Sequence, residues 1–165
     1  MVDSRDPAAQ DGRRADRLEL RVPTTATQLP AVRAMAGDLA MRMDYDLDAV
    51  EDLRLAVDEA CATLAAIAAG DSPLTVVFET TRAGLHIEAW VPTVAGQDVP
   101  RDGFGWAVLA TLVDTVDGRP STQADVPAGD GSGTPVGLIA MDKYLPGHHP
   151  TDVGSGAGQN LSVAR

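Results

Sequence analysis

The feature that most constrains the fold of this chain is a long amphipathic segment between residues 48 and 70. Apolar side chains recur in it at helical spacing, which places them on one face. Asp48 is suited to cap the N-terminus, Glu51 completes a capping box three residues later, and Gly70 marks the end. We therefore predict a long helix whose buried face consists of Val50, Leu53, Val57, Ala60 or Cys61, Leu64 and Ile67.

The segments before this helix predict one strand and one further helix. Leu18, Leu20 and Val22 alternate with charged residues, which is the pattern of a half-buried strand. Gly37 weakens the helical prediction slightly, because glycine is a poor helix former. The apolar face of this first helix is expected to consist of Leu29, Val32, Ala36, Leu39 and Met43.

The second half of the chain predicts more strands than helices. Segments 74–80 and 85–91 are strand candidates joined by a hairpin turn, and another helix begins after Gly103 and Gly105. A short strand is expected at 113–116 and a turn at Asp117 and Gly118, before a flexible loop over 119–135. The last strand carries Val136, Leu138 and Ala140 on one face.

This order of elements predicts the α+β class. We expect one domain over residues 18–145, built as a two-layer α/β sandwich with a mixed, mostly antiparallel sheet and helices on one face. Residues 1–17 and 146–165 are rich in small, charged or glycine and serine side chains. They are expected to be disordered tails.

The charge of the chain limits its partners. There are 24 acidic and 13 basic residues, so the formal net charge of −11 repels nucleic acid and anionic membranes. It suits a partner with a basic face, but on charge alone an ordinary solvated acidic surface is the favoured interpretation. With Cys61 as the single cysteine, no intramolecular disulfide is possible. No secretion signal or membrane-spanning run is found, and we expect a cytoplasmic protein.

The long helix carries the first motif with chemical meaning. Residues 52–63 read DLRLAVDEACAT and resemble the first sequence box of the anti-sigma-factor serine kinases, members of the histidine-kinase-like (GHKL) ATPase superfamily. The resemblance implies that Glu59 is the general base and that Thr63, where the family has asparagine, is a weaker ligand for the Mg²⁺ of ATP. On a helix, Asp52, Ala56, Glu59 and Thr63 form one flank away from the buried face, so we expect Glu59 to face a cleft. An ordinary solvated glutamate is the alternative.

Two further segments resemble the same family. Residues 102–106 (DGFGW) resemble its glycine box, which implies that Gly103 and Gly105 approach the phosphates; the alternative is a turn with Phe104 and Trp106 packed in the core. Residues 133–138 (GTPVGL) resemble its closing segment, which implies that the Thr134 hydroxyl supports the adenine-binding acid. Alone, that segment is an unremarkable turn.

One family segment is absent. Where the family has an Asp-x-Gly-x-Gly segment after its third strand, residues 90–96 read WVPTVAG, so neither the adenine-binding aspartate nor the glycine pair is present. Gln97 and Asp98 follow a few residues later. The histidines and Cys61 match no zinc-ligand spacing. The sequence therefore predicts a nucleotide site that is degenerate at its base-binding end.

The resemblance implies an anti-sigma factor of stress-response type. It would sequester an alternative sigma factor and be controlled by a STAS-type anti-anti-sigma protein, which it phosphorylates on serine using ATP and Mg²⁺. The alternative is a protein-binding module on the same fold that works without nucleotide. The resemblance also implies a homodimer, with the first helix and first strand as candidate interface.

Overall fold

The computed structural model describes residues 16–25 and 28–148 and contains five strands and three helices. The predicted tails, 1–17 and 146–165, lie mostly outside the described residues. In chain order the elements are β1 (Asp16–Val22), α1 (Leu29–Arg42), α2 (Leu47–Ile67), β2 (Leu74–Thr80), β3 (Gly84–Pro92), α3 (Phe104–Leu112), β4 (Thr115–Thr122) and β5 (Pro135–Tyr144).

The five strands form one open sheet in the order β1-β2-β3-β5-β4, and every neighbouring pair is antiparallel. A single row of paired residues crosses the whole sheet: Leu20, Val76, Ala89, Ile139 and Gly118. The first four belong to or pack against the main core that the helices cover. The predicted α+β sandwich with helices on one face is confirmed.

The long helix α2 buries the face that its periodicity predicted, but it begins differently. Asp46, not Asp48, is the N-cap: its carboxylate accepts a hydrogen bond from the Ala49 N–H at 2.8 Å. Asp48 lies in the first turn instead, and Glu51 pairs with Arg54 at 2.8 Å rather than closing a capping box. The helix ends at Ile67, a few residues before Gly70.

The packing of α1 against α2 explains the glycine that weakened the α1 prediction. Gly37 is buried, and a Cβ placed on it would overlap Nε of Arg54 on α2. The two helices are also joined by the ion pair between Arg33 and Asp58, at 2.8 Å. Gly37 therefore gives space to the Arg54 guanidinium between the helices. None of the helices within 16–25 and 28–148 has the length and apolarity needed to cross a bilayer.

The fourth strand corrects two predictions. The expected turn at Asp117 and Gly118 is wrong, because both residues lie inside β4, which extends to Thr122 through the first part of the predicted loop. Pro120 is tolerated since β4 lies at the edge of the sheet and, among the described strands, pairs with β5 alone. A Cβ on Gly118 would lie 2.8 Å from the Trp106 ring, so this glycine makes room for an aromatic side chain.

The rest of the predicted loop packs against the helix-free face of the sheet. We call residues 123–134 the strap. Val126 forms a second core with Trp90, Val136 and Leu138, so the apolar face of β5 predicted from sequence points away from the helices. Trp90 Nε1 donates to the Pro127 carbonyl at 2.9 Å, and the Arg21 guanidinium donates to the Ala128 carbonyl at 2.5 Å. The strap thus reaches back across the sheet to β1.

A charged cluster occupies the same face beyond the strap. His86 Nδ1 lies 2.6 Å from an Asp142 carboxylate oxygen, and Thr115 donates to the other oxygen. The hydrogen bonds with Asp142 and then Glu88 raise the pKa of His86 to about 10. Although burial opposes it, hydrogen bonds from His86 and Thr115 hold the pKa of Asp142 below its ordinary value. The two side chains therefore form an ion pair at neutral pH.

We expect this ion pair to make stability depend on pH. Folding raises the pKa of His86 from its ordinary 6.5 to about 10. The stabilisation that protonated His86 gives to the folded state is therefore complete below pH 6.5 and is lost as the pH rises through 10. The free energy of unfolding of the wild type should therefore exceed that of His86→Gln by the largest amount near pH 6. This difference should disappear in alkaline buffer. Urea unfolding of both proteins across this range is the test, and a pH-independent difference would contradict it.

Candidate functional site

The candidate site is built on the flank of α2 that faces α3. Glu59 and Thr63 are half-buried on this flank, one turn apart. Ala56, which lies between Asp52 and Glu59 on this flank, is fully buried. Helix α3 packs against α2, and Glu59 of α2 lies beside the N-terminal end of α3.

Glu59 stands directly against the second glycine of the DGFGW motif. A Cβ placed on Gly105 would overlap Oε1 of Glu59 and lie 2.8 Å from its Cδ. Any larger residue at 105 therefore displaces the carboxylate. The structure thus brings together the acid and one glycine that the sequence singled out in two separate motifs.

The N-terminus of α3 is short of hydrogen-bond acceptors. Gly103 is the N-cap and supplies no side chain to the first turn, and a Cβ placed there would meet nothing within 4 Å. The first N–H groups of a helix have no partner within the helix and carry its partial positive charge. An anionic group near Gly103 and Gly105 would therefore find donors beside the Glu59 carboxylate.

The aromatic residues of this motif behave differently from one another. Phe104 does not pack in the core: it is 87% exposed. Trp106 is half-buried and packs against the main core, as the alternative interpretation predicted. The glycine-box segment is therefore both the start of a packed helix and an exposed surface next to Glu59.

Thr134 is held away from this pair by other contacts. Its side chain is exposed, its hydroxyl accepts from Ser132 Oγ at 2.9 Å, and its carbonyl accepts from Gln123 N at 3.0 Å. No contact described for the chain joins Thr134 to Glu59, Thr63 or the α3 glycines. It closes the base of the strap, and its place in a nucleotide site remains a prediction.

An apolar group fills the sheet end between α2, α3 and β5, and sequence reasoning missed it. A Cβ on Gly137 would lie 2.7 Å from Cδ1 of Ile67 and 3.4 Å from Val99, and Val99 also lies above Gly118 with Trp106. Val99 is almost completely buried. The available signal was the pair of glycines in predicted strand or turn positions, which marks close approach of large side chains.

The segment that replaces the family's Asp-x-Gly-x-Gly supplies no carboxylate to this region. Thr93 is buried, and its N–H donates to the Pro135 carbonyl at 2.9 Å. Asp98 is exposed and engaged locally: it accepts from the Val99 N–H at 2.7 Å and lies 3.6 Å from Arg101. Asp98 therefore does not stand in for the missing acid.

The residues of this region can be compared with the two parts of Mg-ATP, the phosphates with their metal ion and the adenine base. Magnesium usually keeps water and phosphate ligands beside one or two protein oxygens, which Glu59 and Thr63 are able to supply. The donors at the start of α3 suit phosphate oxygens. Segment 90–96, which stands where the family has its adenine-binding aspartate, contains no carboxylate. The described residues therefore offer groups for the phosphate and metal end.

Two surface cavities lie elsewhere. One of about 690 Å³ is lined by residues of β1, the C-terminal end of α1 and the 80–82 turn, and one of about 260 Å³ includes His86 and Asp142. Neither lining includes Glu59, Thr63, Gly103, Gly105 or Thr134. No group of three or more potential metal ligands occurs among the described His, Cys, Asp and Glu residues. Cys61 is buried, and burial raises the pKa of its thiol to about 12.

Comparison with known proteins supports the resemblance read from the helix and glycine motifs. Residues 22–126 match the family model described as "Histidine kinase-like ATPase domain". The anti-sigma-F factor RsbW of Mycobacterium tuberculosis (strain H37Rv) is 35% identical over 123 residues, covering 72% of this chain and 73% of that protein. The serine-protein kinases RsbW of Bacillus cereus (strain B4264) and Bacillus velezensis are 28% and 26% identical, covering 62% and 80% of this chain and 77% and 88% of theirs.

Proposed function

Because this chain belongs to the histidine kinase-like ATPase domain family, we propose that it is an anti-sigma factor in which Glu59 and the N-terminus of α3 form a phosphotransfer site. Relatives named as an anti-sigma factor and as serine-protein kinases support this role. The observation that carries the catalytic part is the contact of Glu59 with Gly105.

The chemistry follows from the positions of the groups. ATP would supply its γ-phosphoryl group to the serine oxygen and leave as ADP when the bond between the γ-phosphorus and the bridging oxygen breaks, and Mg²⁺ would neutralise the phosphate charge. Glu59 accepts the proton of the attacking serine hydroxyl, the uncapped N–H groups of α3 hold phosphate oxygens, and Thr63 offers a hydroxyl ligand one turn along α2. The acceptor is a serine of an anti-anti-sigma protein. Phe104 beside the site is exposed, so this part of the surface is accessible to such a protein.

A second candidate function rests on the segment after β3, which contains no carboxylate where the family has its adenine-binding aspartate. Thr93 in this segment is buried, and its N–H donates to the Pro135 carbonyl. An unpaired polar group costs about 1–3 kcal/mol, so nucleotide affinity falls. In this version the chain exchanges sigma and anti-anti-sigma partners without transferring phosphate.

One set of measurements separates these functions. The purified chain is titrated with a fluorescent ATP analogue and Mg²⁺, then incubated with ATP and candidate anti-anti-sigma proteins, while a pull-down tests the host's sigma factors. Phosphorylated partner supports the first function. Sigma binding without nucleotide binding at millimolar concentration supports the second, and loss of sigma binding contradicts both.

Gly105→Ala tests the geometry of the site. The new methyl group meets the end of the flexible Glu59 side chain, and alanine is the better helix former, so the free energy of unfolding should change by less than about 1 kcal/mol. Phosphotransfer should nevertheless fall roughly tenfold or more, because the displaced base no longer reaches the hydroxyl. Thermal unfolding and a single-turnover transfer assay measure the two effects.

Gly103→Ala is the matched control, since a Cβ at that position meets nothing within 4 Å. It should reduce transfer much less than Gly105→Ala. Equal activity of the Gly105→Ala variant and the wild type would contradict the placement of Glu59.

We further propose that the protein acts in the cytoplasm as a homodimer, with β1 and α1 at the interface. In support, β1 is an edge strand that pairs only with β2 among the described strands. Sedimentation velocity at micromolar concentration tests the dimer, and a monomer in that range contradicts it.

A further inference from the structure

The only lysine of the chain joins three elements beside the candidate site. The other members of its 13 basic residues are all arginines. Lys143 lies near the end of β5, and its side chain is only 16% exposed. Its Nζ donates to the Leu112 carbonyl of α3 at 2.8 Å and to the Asp52 carboxylate of α2 at 3.3 Å. We call these two hydrogen bonds the Lys143 bridge, because they join the end of α3 to α2.

The backbone of Lys143 is itself held in place. Its carbonyl accepts a hydrogen bond from the Tyr45 hydroxyl, which in turn accepts from the Leu85 N–H at 3.0 Å. Lys143 and Leu85 are paired across β5 and β3. Burial raises the pKa of Tyr45 to about 12, so its hydroxyl stays protonated and able to donate. The ammonium group of Lys143 therefore extends from a fixed point of the sheet.

Helix α3 has few contacts that fix its position. It is nine residues long, and Leu109 is the one residue of this helix that is fully buried. The last turn of α3 contains no basic residue that could bind the free carbonyls and the partial negative charge at its C-terminus. Lys143 supplies both the donor and the positive charge from β5. A helix this short depends on tertiary contacts of this kind.

The Lys143 bridge and the candidate base lie at matching distances along the two helices. Asp52 lies about two turns before Glu59 on α2, and Leu112 lies about two turns after Gly105 on α3. Two turns correspond to about 10 Å along a helix axis. The two helices are therefore antiparallel, with the bridge at one end and the contact of Glu59 with Gly105 at the other. A displacement of α3 along α2 would change both contacts together.

We propose that Lys143 is a positioning residue of the phosphotransfer site, which determines where the N-terminus of α3 lies relative to the Glu59 carboxylate. The inference rests on the proposed function. No contact described for the chain joins Lys143 to Glu59, so the lysine acts through α3. Without its ammonium group the Leu112 carbonyl loses its donor, and α3 holds Gly105 less firmly against Glu59. The base and the bound phosphate are then aligned less often, which lowers the rate of transfer.

The first test needs no activity. The chain has two tryptophans: Trp106 follows Gly105 on α3, and Trp90 lies in the second core on the helix-free face. Labelling with fluorotryptophan gives one ¹⁹F resonance for each, and Trp90→Phe assigns them. In Lys143→Met the Trp106 resonance should shift by more than its linewidth, while that of Trp90 stays in place. Arg42→Met, which removes an exposed positive charge from α1, should move neither resonance.

The second test separates the rate of transfer from nucleotide binding. In Lys143→Met, kcat for serine transfer should fall roughly tenfold or more. KM for Mg-ATP should stay within about threefold, because the N–H groups that hold phosphate move together with α3. Arg42→Met should keep kcat within about twofold of the wild type. Circular dichroism verifies that both variants are folded.

Asp52→Asn is a milder variant, which keeps the proposal testable if Lys143→Met does not fold. It removes the more exposed partner of the Lys143 bridge and leaves the bond to Leu112, so the Trp106 resonance should shift in the same direction by less. An unmoved Trp106 resonance in the folded variants overturns the proposal, and so does a raised KM with unchanged kcat. If the wild type transfers no phosphate, the proposed phosphotransfer fails, and the Trp106 shift alone decides whether Lys143 positions α3.

Discussion

We expect replacement of Glu59 with glutamine to lower serine phosphotransfer by a factor of roughly 10² to 10⁴, the usual contribution of a general base. Glutamine has nearly the shape of glutamate, so it fits beside Gly105 and keeps the packing of α2 against α3. It has no basic oxygen to take the proton of the serine hydroxyl. The measurement is the single-turnover rate at saturating nucleotide.

Asp48→Asn is the matched control for this change. Asp48 is an exposed acid in the first turn of the same helix, away from Gly105, and its neutralisation should leave the transfer rate within about twofold. Sigma affinity of Glu59→Gln should change by about threefold at most, since a surface charge contributes little binding energy. Undiminished transfer in Glu59→Gln would show that this carboxylate is not the base.

Trp90→Ala destabilises the domain by about 3–5 kcal/mol, the range for deletion of a large buried aromatic side chain. Trp90 is 3% exposed, forms the second core with Val126, Val136 and Leu138, and donates to the Pro127 carbonyl. Its removal leaves a cavity on the helix-free face and frees the strap from its hydrogen bond. Urea unfolding followed by circular dichroism measures the change.

Trp90→Phe separates packing from the hydrogen bond. It keeps an aromatic ring but leaves the Pro127 carbonyl without its donor, so the loss should be about 1–3 kcal/mol and smaller than for alanine. A loss below about 1 kcal/mol in Trp90→Ala would contradict the second core, because it would mean that the strap does not bury the indole.

The elements predicted best were those whose signals are periodic and local. The buried face of α2 follows from the spacing of Val50 through Leu64, and the hairpin at 81–84 follows from its turn residues, with the Thr81 N–H donating to the Gly84 carbonyl at 2.9 Å. The N-cap was misplaced because Asp46 and Asp48 are both good caps. Only the backbone, extended at Asp46, decides between them.

The errors in the second half of the chain have tertiary causes. Asp117, Gly118 and Pro120 are turn formers, yet β4 forms because β5 supplies its hydrogen bonds and Trp106 covers the glycine. The second core joins Trp90 to Val126, and periodicity says nothing about contacts between such distant residues. The alternation in β5 correctly placed Val136 and Leu138 on one buried face. It does not indicate which face the helices cover, because that depends on how the other strands and the helices pack.

In the candidate site, too, local patterns predicted the positions within one helix, and the contacts between elements could not be predicted. Helix periodicity placed Glu59 and Thr63 on one flank of α2, and the glycine motif announced the start of α3. That Glu59 meets Gly105 depends on how α3 packs against α2, which the sequence pattern does not contain. The close approach of Ile67 and Val99 to Gly137 brings together three separate parts of the chain, which no local pattern encodes.

The central claim, that this chain is an anti-sigma factor, is tested most directly by transcription in vitro with the host's core polymerase and each alternative sigma factor. Added in equimolar amount, the purified chain should silence transcription from the promoters of one sigma factor, and an anti-anti-sigma protein should restore it. Undiminished transcription with every sigma factor at a large excess of the chain would contradict the account.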